Sequence, residues 1–328
     1  MKFMVKDMGI DENVGKDIKS FFYCNEVKKG VGSNGREYAT ISLSDISGTI
    51  FAKKWSESLT GDEKTLEGNV VEICGTVNVY DNRPSLIVTS SKIATPGSYE
   101  KTDIAAGLSD EEAAKLIERA KMYIDSISDF NLKLLVETIY SQSVDNMALL
   151  PAGLKHHHSF NGALLEHTME VTDLCGYMIK TSQMYGSYKT YNRTVNKNLL
   201  IAGALLHDIG KLFEYEAFPK KKTTKAGKLL GHIVQGCLYV SQINTSLGEN
   251  RVDEDMLTEL QHIILSSHGE YSPVKPQTLE AIILSNADNA SAATDYYSKF
   301  CEEWQQSHPD DSSEFGYSQL KSSYFLIK

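Results

Sequence analysis

Between Val14 and Thr95, hydrophobic and polar residues alternate with a period of two, and turn-forming residues interrupt the alternation. A period of two predicts β-strands with one buried face. We expect five strands, at Phe21–Lys29, Arg36–Ser44, Thr49–Trp55, Val70–Tyr80 and Leu86–Ile93. Five short strands with one longer connection, at Ser56–Asn69, are typical of a small Greek-key barrel of the OB type.

Turn-forming residues support this order of strands. Ser33-Asn34-Gly35 predicts a hairpin between the first two strands, because Asn-Gly favours the backbone that tight hairpin turns need. Asp81-Asn82-Arg83-Pro84 predicts the last hairpin. Residues 96–108 contain proline and several small residues and indicate a linker, so the barrel domain is expected over residues 1–95.

After residue 108, hydrophobic residues recur three or four positions apart, which predicts helices. Ser109 and Glu112 form a capping box at the first helix, and a second helix begins near Asp129. Further helices are expected at Gly162–Tyr185, Leu199–Leu206, from Gly231 onward, Leu257–Ser267 and Leu279–Tyr297. We therefore expect a multidomain chain, with an N-terminal all-β OB-fold barrel, an all-α domain over residues 109–298 and a tail over residues 299–328.

The composition is that of a globular protein, with 41% hydrophobic and 23% charged residues among 328. No window approaches 18 uninterrupted apolar residues, and Met1 to Asp11 contain no apolar run before a cleavage site. Neither a membrane span nor a signal peptide is expected. The five cysteines are widely spaced and fit neither a zinc motif nor a disulfide framework, so we expect a cytoplasmic protein.

The net charge of −10 disfavours a protein that grips duplex DNA by bulk electrostatics. An OB barrel can instead bind single strands by stacking bases on aromatic rings beside basic groups. The candidate nucleic-acid contacts are Tyr38, Phe51, Trp55, Tyr80 and Arg83, with Lys28, Lys29, Lys53 and Lys54 as further basic groups. The alternative is that these rings belong to the core or edge of the barrel and that the lysines form a solvated rim.

The stretch Ala204–Lys211 carries the most distinctive chemistry, because apolar residues run directly into an adjacent His207-Asp208 pair. Imidazole and carboxylate donors together suit Mn, Fe or Zn. Two consecutive ligands need a helix end or a distortion, and we expect Gly210 to supply the conformational freedom. Lys211 then places a cation where an anionic group could bind. The alternative is a helix C-terminus with His near its dipole and Gly as its cap.

Other histidines and acidic residues recur at helix ends or inside apolar helices. Asp288 lies between two apolar runs, where a carboxylate is costly unless it is paired or bound to metal. The candidate metal ligands, in the order H…HD…H…H…D, are His167, His207, Asp208, His232, His268 and Asp288. His262 does not share a helical face with His268, so we expect it either to support a ligand from behind or to have a structural role.

A lysine-rich segment, Glu214–Gly231, follows the His-Asp pair and is expected to form a basic loop. Its candidate contacts to a nucleic-acid backbone are Lys220, Lys221 and Lys222, with Lys225 and Lys228 nearby. The alternative is a solvated surface run with no ligand.

With these residues in place, the chain resembles the HD-domain metallophosphohydrolases, and more narrowly the bacterial YhaM family of 3′-to-5′ exoribonucleases, which join an OB domain to an HD domain. The resemblance covers about residues 14–298 and rests on these stretches: His157–Gly162, Leu165–Thr168, His207–Lys211, Leu229–Ile233, Gln261-His262, Ser266–Gly269, Ala287–Asn289, Ser33–Gly35 and Asp45–Gly48 through Lys54-Trp55. Ser267 stands where family members often have a second histidine, and Ala163 replaces a usual glycine.

The resemblance implies two divalent ions, Mn or Mg, with Fe or Zn also open. One would be held by the set His167, His207, Asp208 and Asp288, and the second by His232 and His268 with Asp208 bridging. Lys211 would neutralise charge on the scissile phosphate. His157 or His158 would contact the phosphate or protonate the leaving 3′-oxygen.

Three functions stay open on the sequence. The first is a 3′-to-5′ exonuclease on single-stranded RNA, with DNA as a further substrate. The second is an HD hydrolase of small nucleotides or cyclic dinucleotides. The third is a non-catalytic single-strand binding protein, which would bind no divalent metal. Single-stranded RNA or DNA is the expected partner and no membrane is expected, while formation of a homo-oligomer is left open.

Overall fold

The structure is a computed structural model that describes residues 3–32, 35–80, 83–153, 160–185, 194–216, 222–308 and 313–327. The chain divides into two compact units, Met1–Ser109 and Asp110–Lys328. Each unit has its own hydrophobic core.

The first unit is a closed barrel of five strands in the order β1-β2-β3-β5-β4. The strands are β1 (Asp17–Val31), β2 (Glu37–Asp45), β3 (Gly48–Trp55), β4 (Val70–Tyr80) and β5 (Arg83–Ile93). This confirms the predicted OB-type barrel and its five strands. The predicted turn residues Ser33, Asn34, Asp81 and Asn82 lie outside the described residues.

The long strand β1 closes the barrel because it pairs with two neighbours. Its first half, from Asp17 to Tyr23, pairs antiparallel with β4, and its second half, from Tyr23 to Val31, pairs antiparallel with β2. A bulge between Cys24 and Glu26 marks the change of partner, where an extra residue bends the strand. A short parallel pairing of β3 with β5 completes the closure.

An ion pair lies inside this barrel. Lys54 and Glu63 are 1% exposed, and Lys54 Nζ lies 3.3 Å from Glu63 Oε1 and 3.0 Å from Ser91 Oγ. Burial raises the pKa of Glu63, but the hydrogen bonds from Thr60 and Lys54 outweigh it and lower the pKa to about 2. Glu63 therefore stabilises the fold above its unfolded pKa, and this contribution is lost as the pH falls towards 2.

Lys54 was one of the candidate basic groups for nucleic-acid binding, with a place in a solvated rim as the alternative, and its burial makes both interpretations wrong for this residue. The alternation of β3 places Lys54 on the inner face, between its outward neighbours Lys53 and Trp55. The sequence pattern hid this because a lysine at a core position is unusual and becomes acceptable only with a buried partner.

The second unit is mainly helical, as predicted. Its helices are α2 (Asp110–Asp125), α3 (Phe130–Met147), α4 (Ala163–Tyr185), α5 (Lys197–Leu206), α6 (Lys211–Glu214), α7 (Lys225–Ser246), α8 (Glu254–Leu265) and α9 (Leu279–Ser307); α1 (Lys101–Ile104) belongs to the first unit. The apolar helix α5 is buried along its length from Leu199 to Leu206 and lies at the centre of the core. No helix in the described part of the chain combines the length and the apolar character needed to cross a lipid bilayer.

Two short hairpins were not predicted in the helical region. One pairs β6 (Tyr215–Glu216) with β7 (Lys222–Thr223), and the other pairs β8 (Phe315–Ser318) with β9 (Ser323–Leu326). The second hairpin packs on α9 through Phe325, whose ring lies among those of Tyr296, Tyr297 and Phe300. Strands of two to four residues are too short to show a periodic pattern in the sequence.

Residues 96–108, expected to be a linker, contain α1. The backbone N–H of Ile46 in the β2–β3 turn donates to Asp103 O of α1 at 2.8 Å. The predicted domain boundaries themselves stay a prediction.

We expect Lys54→Met to destabilise the barrel by about 3–5 kcal/mol, because it leaves the Glu63 carboxylate buried without its main cation. Urea unfolding followed by tryptophan fluorescence measures this. The chain has two tryptophans, so a Trp304→Phe background makes Trp55 the only reporter.

The matched control is Lys28→Met, which removes an exposed ion pair of 2.9 Å with Glu26. An exposed pair contributes at most about 1 kcal/mol. Equal losses in the two variants would contradict the importance of burial in this pair.

Candidate metal centre

Five helical segments of the second unit bring the six predicted metal ligands together. His207 and Asp208 follow the end of α5, and His167 lies on the second turn of α4. Asp288 lies within α9 and His268 follows α8. His232 begins the second part of α7, after Gly231 interrupts that helix with φ of +70°.

Four of these residues form a buried group, the first metal position. It consists of His167, His207, Asp208 and Asp288, each at most 6% exposed. His167 Nε2 lies 3.0 Å from Asp288 Oδ1 and 3.6 Å from Asp208 Oδ2. His207 Nε2 lies 3.4 Å from His167 Nε2 and 3.4 Å from Asp208 Oδ2.

The other oxygen of the same carboxylate faces the second metal position, formed by Asp208, His232 and His268. Asp208 Oδ1 lies 3.4 Å from His232 Nε2 and 3.5 Å from His268 Nε2. The two Nε2 atoms are 2.8 Å apart. Asp208 is thus shared by the two positions, whereas both histidines of the second position are partly exposed.

Hydrogen bonds on the far side of the imidazole rings fix which nitrogen faces inward. His207 Nδ1 lies 2.8 Å from Ala204 O, and His268 Nδ1 lies 2.8 Å from Asp288 Oδ2. Both oxygens are acceptors only, so each Nδ1 carries the proton. In its neutral form, each ring then directs the Nε2 lone pair at Asp208.

His167 reaches the same state through a relay. Its Nδ1 lies 2.9 Å from Ser291 Oγ, and the Ser291 hydroxyl donates to Glu170 Oε2 at 2.7 Å. Because that hydroxyl proton is committed to Glu170, Ser291 Oγ accepts from His167 Nδ1. The Nε2 lone pair of His167 therefore also points to the first position.

The arrangement fits divalent cations. Asp208 Oδ1 is buried and makes no hydrogen bond within the described part of the chain. A buried carboxylate oxygen surrounded by imidazole lone pairs is costly unless a cation lies between them. Nitrogen and oxygen donors of this kind suit Mn, Fe or Zn, and their clusters each span less than 4.8 Å between ligand atoms.

Burial and neighbouring charges favour the ligand form of Asp208 and His167, whereas they favour the protonated form of His268. Burial raises the pKa of Asp208, but Lys211 and His207 outweigh it and hold that pKa well below its usual value. Burial lowers the pKa of His167 to about 4, so this ring is neutral at pH 7. Burial lowers the pKa of His268, but Asp208 and Asp288 outweigh it and raise it to about 9.

Lys211 lies at the centre, as its sequence position suggested. Its side chain is nearly buried, and Nζ lies 2.5 Å from Asp208 Oδ2. In this structure it therefore neutralises the shared carboxylate. Its predicted contact with a scissile phosphate stays a prediction.

Gly210 has a different role from the one expected. It has φ of −67° and ψ of −14°, which any residue adopts, so its conformational freedom is not what the site needs. A Cβ there would lie 1.9 Å from His232 O and 2.5 Å from Gly236 N. Gly210 is required because the backbone of α7 passes too close for any side chain.

Three residues of the centre were missed by sequence reasoning. Glu214 Oε2 lies 2.8 Å from His232 Nδ1, and Ser291 and Glu170 form the relay to His167. A signal existed in the spacing, since Glu170 and Ser291 each follow a ligand by three residues, one helical turn. His262 has the structural role expected of it, because its Nε2 accepts a hydrogen bond from Gln277 N at 3.0 Å.

Some predicted residues cannot be placed. His157, His158, Lys220 and Lys221 lie outside the described residues. Lys222 is exposed on β7. Their predicted contacts with nucleic acid or phosphate stay predictions.

The candidate nucleic-acid contacts of the barrel lie on its outer surface. Lys53 Nζ lies 5.2 Å from the ring centre of Tyr38, 5.5 Å from that of Trp55 and 4.6 Å from that of Tyr80. The Tyr80 ring is 63% exposed. These four residues form what we call the aromatic–lysine surface; the remaining candidates, Phe51 and Arg83, are also exposed.

Comparison with known families supports the interpretation of the second unit. Residues 164–293 match the family model described as the HD domain, and all six ligand candidates lie within this match. Residues 98–218 match a second model, described as a putative helicase, which ends before His232. The second unit thus contains an HD domain, which indicates a metal-dependent phosphohydrolase.

Similar solved structures include the second OB-fold domain of replication protein A from Methanococcus maripaludis, at 16% identity and a TM-score of 0.24, covering 30% of this chain and 100% of that one. The structure of yeast Stn1 and Ten1 matches at 18% identity and a TM-score of 0.21, and the match covers 24% of this chain and 43% of that one. Asparaginyl-tRNA synthetase from Pyrococcus horikoshii matches at 13% identity and a TM-score of 0.24, and the match covers 47% of this chain and 38% of that one. This chain spans less than half the length of the last two proteins. The assignment of the first unit as an OB-type barrel therefore rests on its own strand order.

We expect Gly210→Ala to destabilise the metal-free protein by about 1–3 kcal/mol, because the new methyl group would press on backbone atoms that cannot rotate away. Thermal unfolding in EDTA measures this. The control is Gly176→Ala on α4, where a Cβ meets open space and helix propensity favours alanine by about 0.5–1 kcal/mol. Equal stability of the two variants would contradict the close approach.

We expect the apparent affinity for Mn²⁺ to rise about tenfold per pH unit from pH 6.5 to 8.5, because the ion must displace the proton that His268 holds below a pKa of about 9. His167, with a pKa of about 4, contributes no such dependence. Titration calorimetry in two buffers of different ionisation enthalpy counts the released protons. An affinity that stays flat over this range would contradict the assignment.

Proposed function

We propose that the chain is a metal-dependent 3′-to-5′ exonuclease of the YhaM type that degrades single-stranded RNA, with single-stranded DNA as a second substrate. The observation that carries the proposal is the convergence of four imidazole Nε2 atoms on the single carboxylate of Asp208, in a chain that also has an OB barrel. The alternative functions, a small-nucleotide hydrolase and a non-catalytic binding protein, are outcomes of the test below.

The residues of the centre fit two divalent ions, one at each metal position. When bound, such a pair clamps the attacking and leaving oxygens of a phosphodiester and provides hydroxide at neutral pH. Asp208, whose two oxygens face different positions, would help to hold both ions, and Asp288 would belong to the first position while it keeps His268 in place. His167 and His207 would complete the first position, whereas His232 and His268 would complete the second.

Lys211 would then interact with two anionic groups, the Asp208 carboxylate and the phosphate of the substrate. In the metal-free chain it pairs with Asp208, and an incoming phosphate would offer its ammonium group a second anionic partner. His157 or His158 would contact the phosphate or donate a proton to the leaving 3′-oxygen. The lysines Lys220, Lys221 and Lys222 would contact the backbone of the strand.

The aromatic–lysine surface supports a polymeric substrate. Three rings around one ammonium group suit bases that stack and a phosphate that pairs with Lys53. Stacking tolerates any base sequence, which an exonuclease needs. A hydrolase of small nucleotides has no need of a second nucleotide-binding surface besides its metal centre. The five cysteines are free, and we place the activity in the reducing cytoplasm.

The test is a time course on a 5′-labelled single-stranded RNA with Mn²⁺ or Mg²⁺. We expect a ladder of shortened labelled products that EDTA abolishes and that Asp208→Asn loses, because this variant cannot bridge two ions. RNA and DNA of the same sequence are compared in parallel. Intact RNA with bound metal and hydrolysis of cyclic dinucleotides would favour the small-nucleotide alternative, and an absence of bound metal would favour the non-catalytic one.

A second arm tests the barrel. Trp55→Ala should weaken RNA binding by about 1–3 kcal/mol through lost stacking, and should raise KM more than it lowers kcat. The control is Lys92→Ala, which removes an exposed lysine of β5 that pairs with Glu72, eight residues along β4 from Tyr80. An unchanged KM in Trp55→Ala would remove the barrel from substrate binding.

A further inference from the structure

We propose that Glu214 is a positioning residue that orients His232 and thereby controls whether the second metal position is filled. The inference rests on the proposed two-ion centre but not on the identity of the substrate. Glu214 is not itself one of the predicted metal ligands, and its contact is with the outer nitrogen of His232.

The backbone of Glu214 is firmly held. Its N–H donates to Gly210 O at 3.2 Å, and its carbonyl accepts from Thr224 N at 2.9 Å. Gly227 packs against it so closely that a Cβ there would lie 2.5 Å from Glu214 O. The side chain therefore starts from a fixed point in the fold.

The carboxylate of Glu214 contacts the His232 ring and also has the Tyr215 side chain as a hydrogen-bonding neighbour. Oε2 lies 2.8 Å from His232 Nδ1, and the two side chains are 14% and 18% exposed. Oε2 is buried and has no well-aligned hydrogen bond within the described residues, so its main compensation is this contact with the imidazole. Removing Glu214 would leave His232 Nδ1 without an anionic partner to hold its proton on the outer side.

Each of the other three imidazoles is anchored differently. His207 relies on a backbone carbonyl, His167 on the Ser291 relay, and His268 on Asp288, which belongs to the first position. His232 is thus the ring in direct contact with a carboxylate outside the ligand set, whereas Glu170 reaches His167 only through Ser291. A carboxylate behind a ligating histidine fixes its tautomer and raises its basicity.

The short segment from Gly210 to Glu214 holds His232 at two points. Gly210 packs on the backbone carbonyl of His232, and Glu214 contacts the outer edge of its ring. The same segment carries Lys211, which pairs with Asp208. The His-Asp motif therefore contributes to the second position through residues that follow it, as well as through Asp208.

The effect should be confined to one of the two positions. His232 belongs to the cluster with Asp208 and His268, whereas the first cluster contains His167, His207 and Asp208. Loss of Glu214 removes one negative charge and one orienting contact from the second position. The first position keeps every ligand and every outer contact.

The experiment counts metal ions and measures their affinities in the full chain. Wild type, Glu214→Ala and Glu214→Gln are equilibrated with Mn²⁺, and bound metal is measured by elemental analysis and by competition with a chelator. We expect two ions in wild type, with the weaker one bound about 10- to 100-fold more weakly in Glu214→Ala. Glu214→Gln should fall between, because its amide oxygen still accepts from Nδ1 but carries no charge.

The matched control is Glu216→Gln, which makes the same charge change two residues further on, in β6. It should bind both ions as wild type does. Thermal unfolding in EDTA should be similar for all variants, which separates positioning from a folding defect. Rescue of the second ion at high Mn²⁺ in Glu214→Ala would show that the ligands remain intact.

Wild-type affinity for both ions in Glu214→Ala would overturn the proposal, as would an equal loss at both positions. A wild-type chain that binds a single ion would also overturn it. A chain that binds two ions with the expected Glu214 dependence but leaves RNA intact would contradict the proposed function alone, so the two failures are distinguishable.

Discussion

The cost of burying Asp208 governs the architecture of the helical unit. A carboxylate that is 1% exposed must be surrounded by groups that replace water, and here they are four imidazoles and one lysine. Three of the imidazoles, those of His167, His232 and His268, come from other helical segments than Asp208 itself. The ligand-bearing helices can approach only where side chains are small, which explains why Gly210 meets the backbone of α7 and why Gly203 of α5 lies against Ile263. The close packing of these helices and the surrounding of Asp208 by its ligands therefore depend on each other.

Anchoring on the outer side of the rings separates the two metal positions. The first is enclosed and relies largely on neutral partners, Ala204 O and Ser291 Oγ. The second is partly exposed and relies on carboxylates, Glu214 and Asp288. Carboxylate partners increase the basicity of an imidazole, which compensates for competition from water at the more open position. This difference gives a physical reason for unequal affinity at the two positions.

The sequence predicted what local periodicity and residue type determine. The five strands were placed correctly because the barrel faces alternate, and the six ligand candidates were grouped because His and Asp recur in apolar helices. Contacts between residues distant in sequence could not be predicted. Nothing local reveals that Glu63 is the buried partner of Lys54, that Gly210 is needed for a close approach, or that Glu214 reaches a histidine 18 residues away. Each of these depends on a partner whose position only the folded chain defines.

The net charge of the chain and the chemistry of the aromatic–lysine surface have opposite implications for binding of nucleic acid. A net charge of −10 opposes long-range attraction to a phosphate backbone. Lys53, however, lies among three aromatic rings on the barrel, and base stacking depends less on salt and net charge than phosphate contacts do. Stacking needs unpaired bases, and a duplex hides them. Under the proposed function, an acidic chain with such a surface would discriminate between strands by their accessibility, because only a single strand offers the interaction that offsets the repulsion.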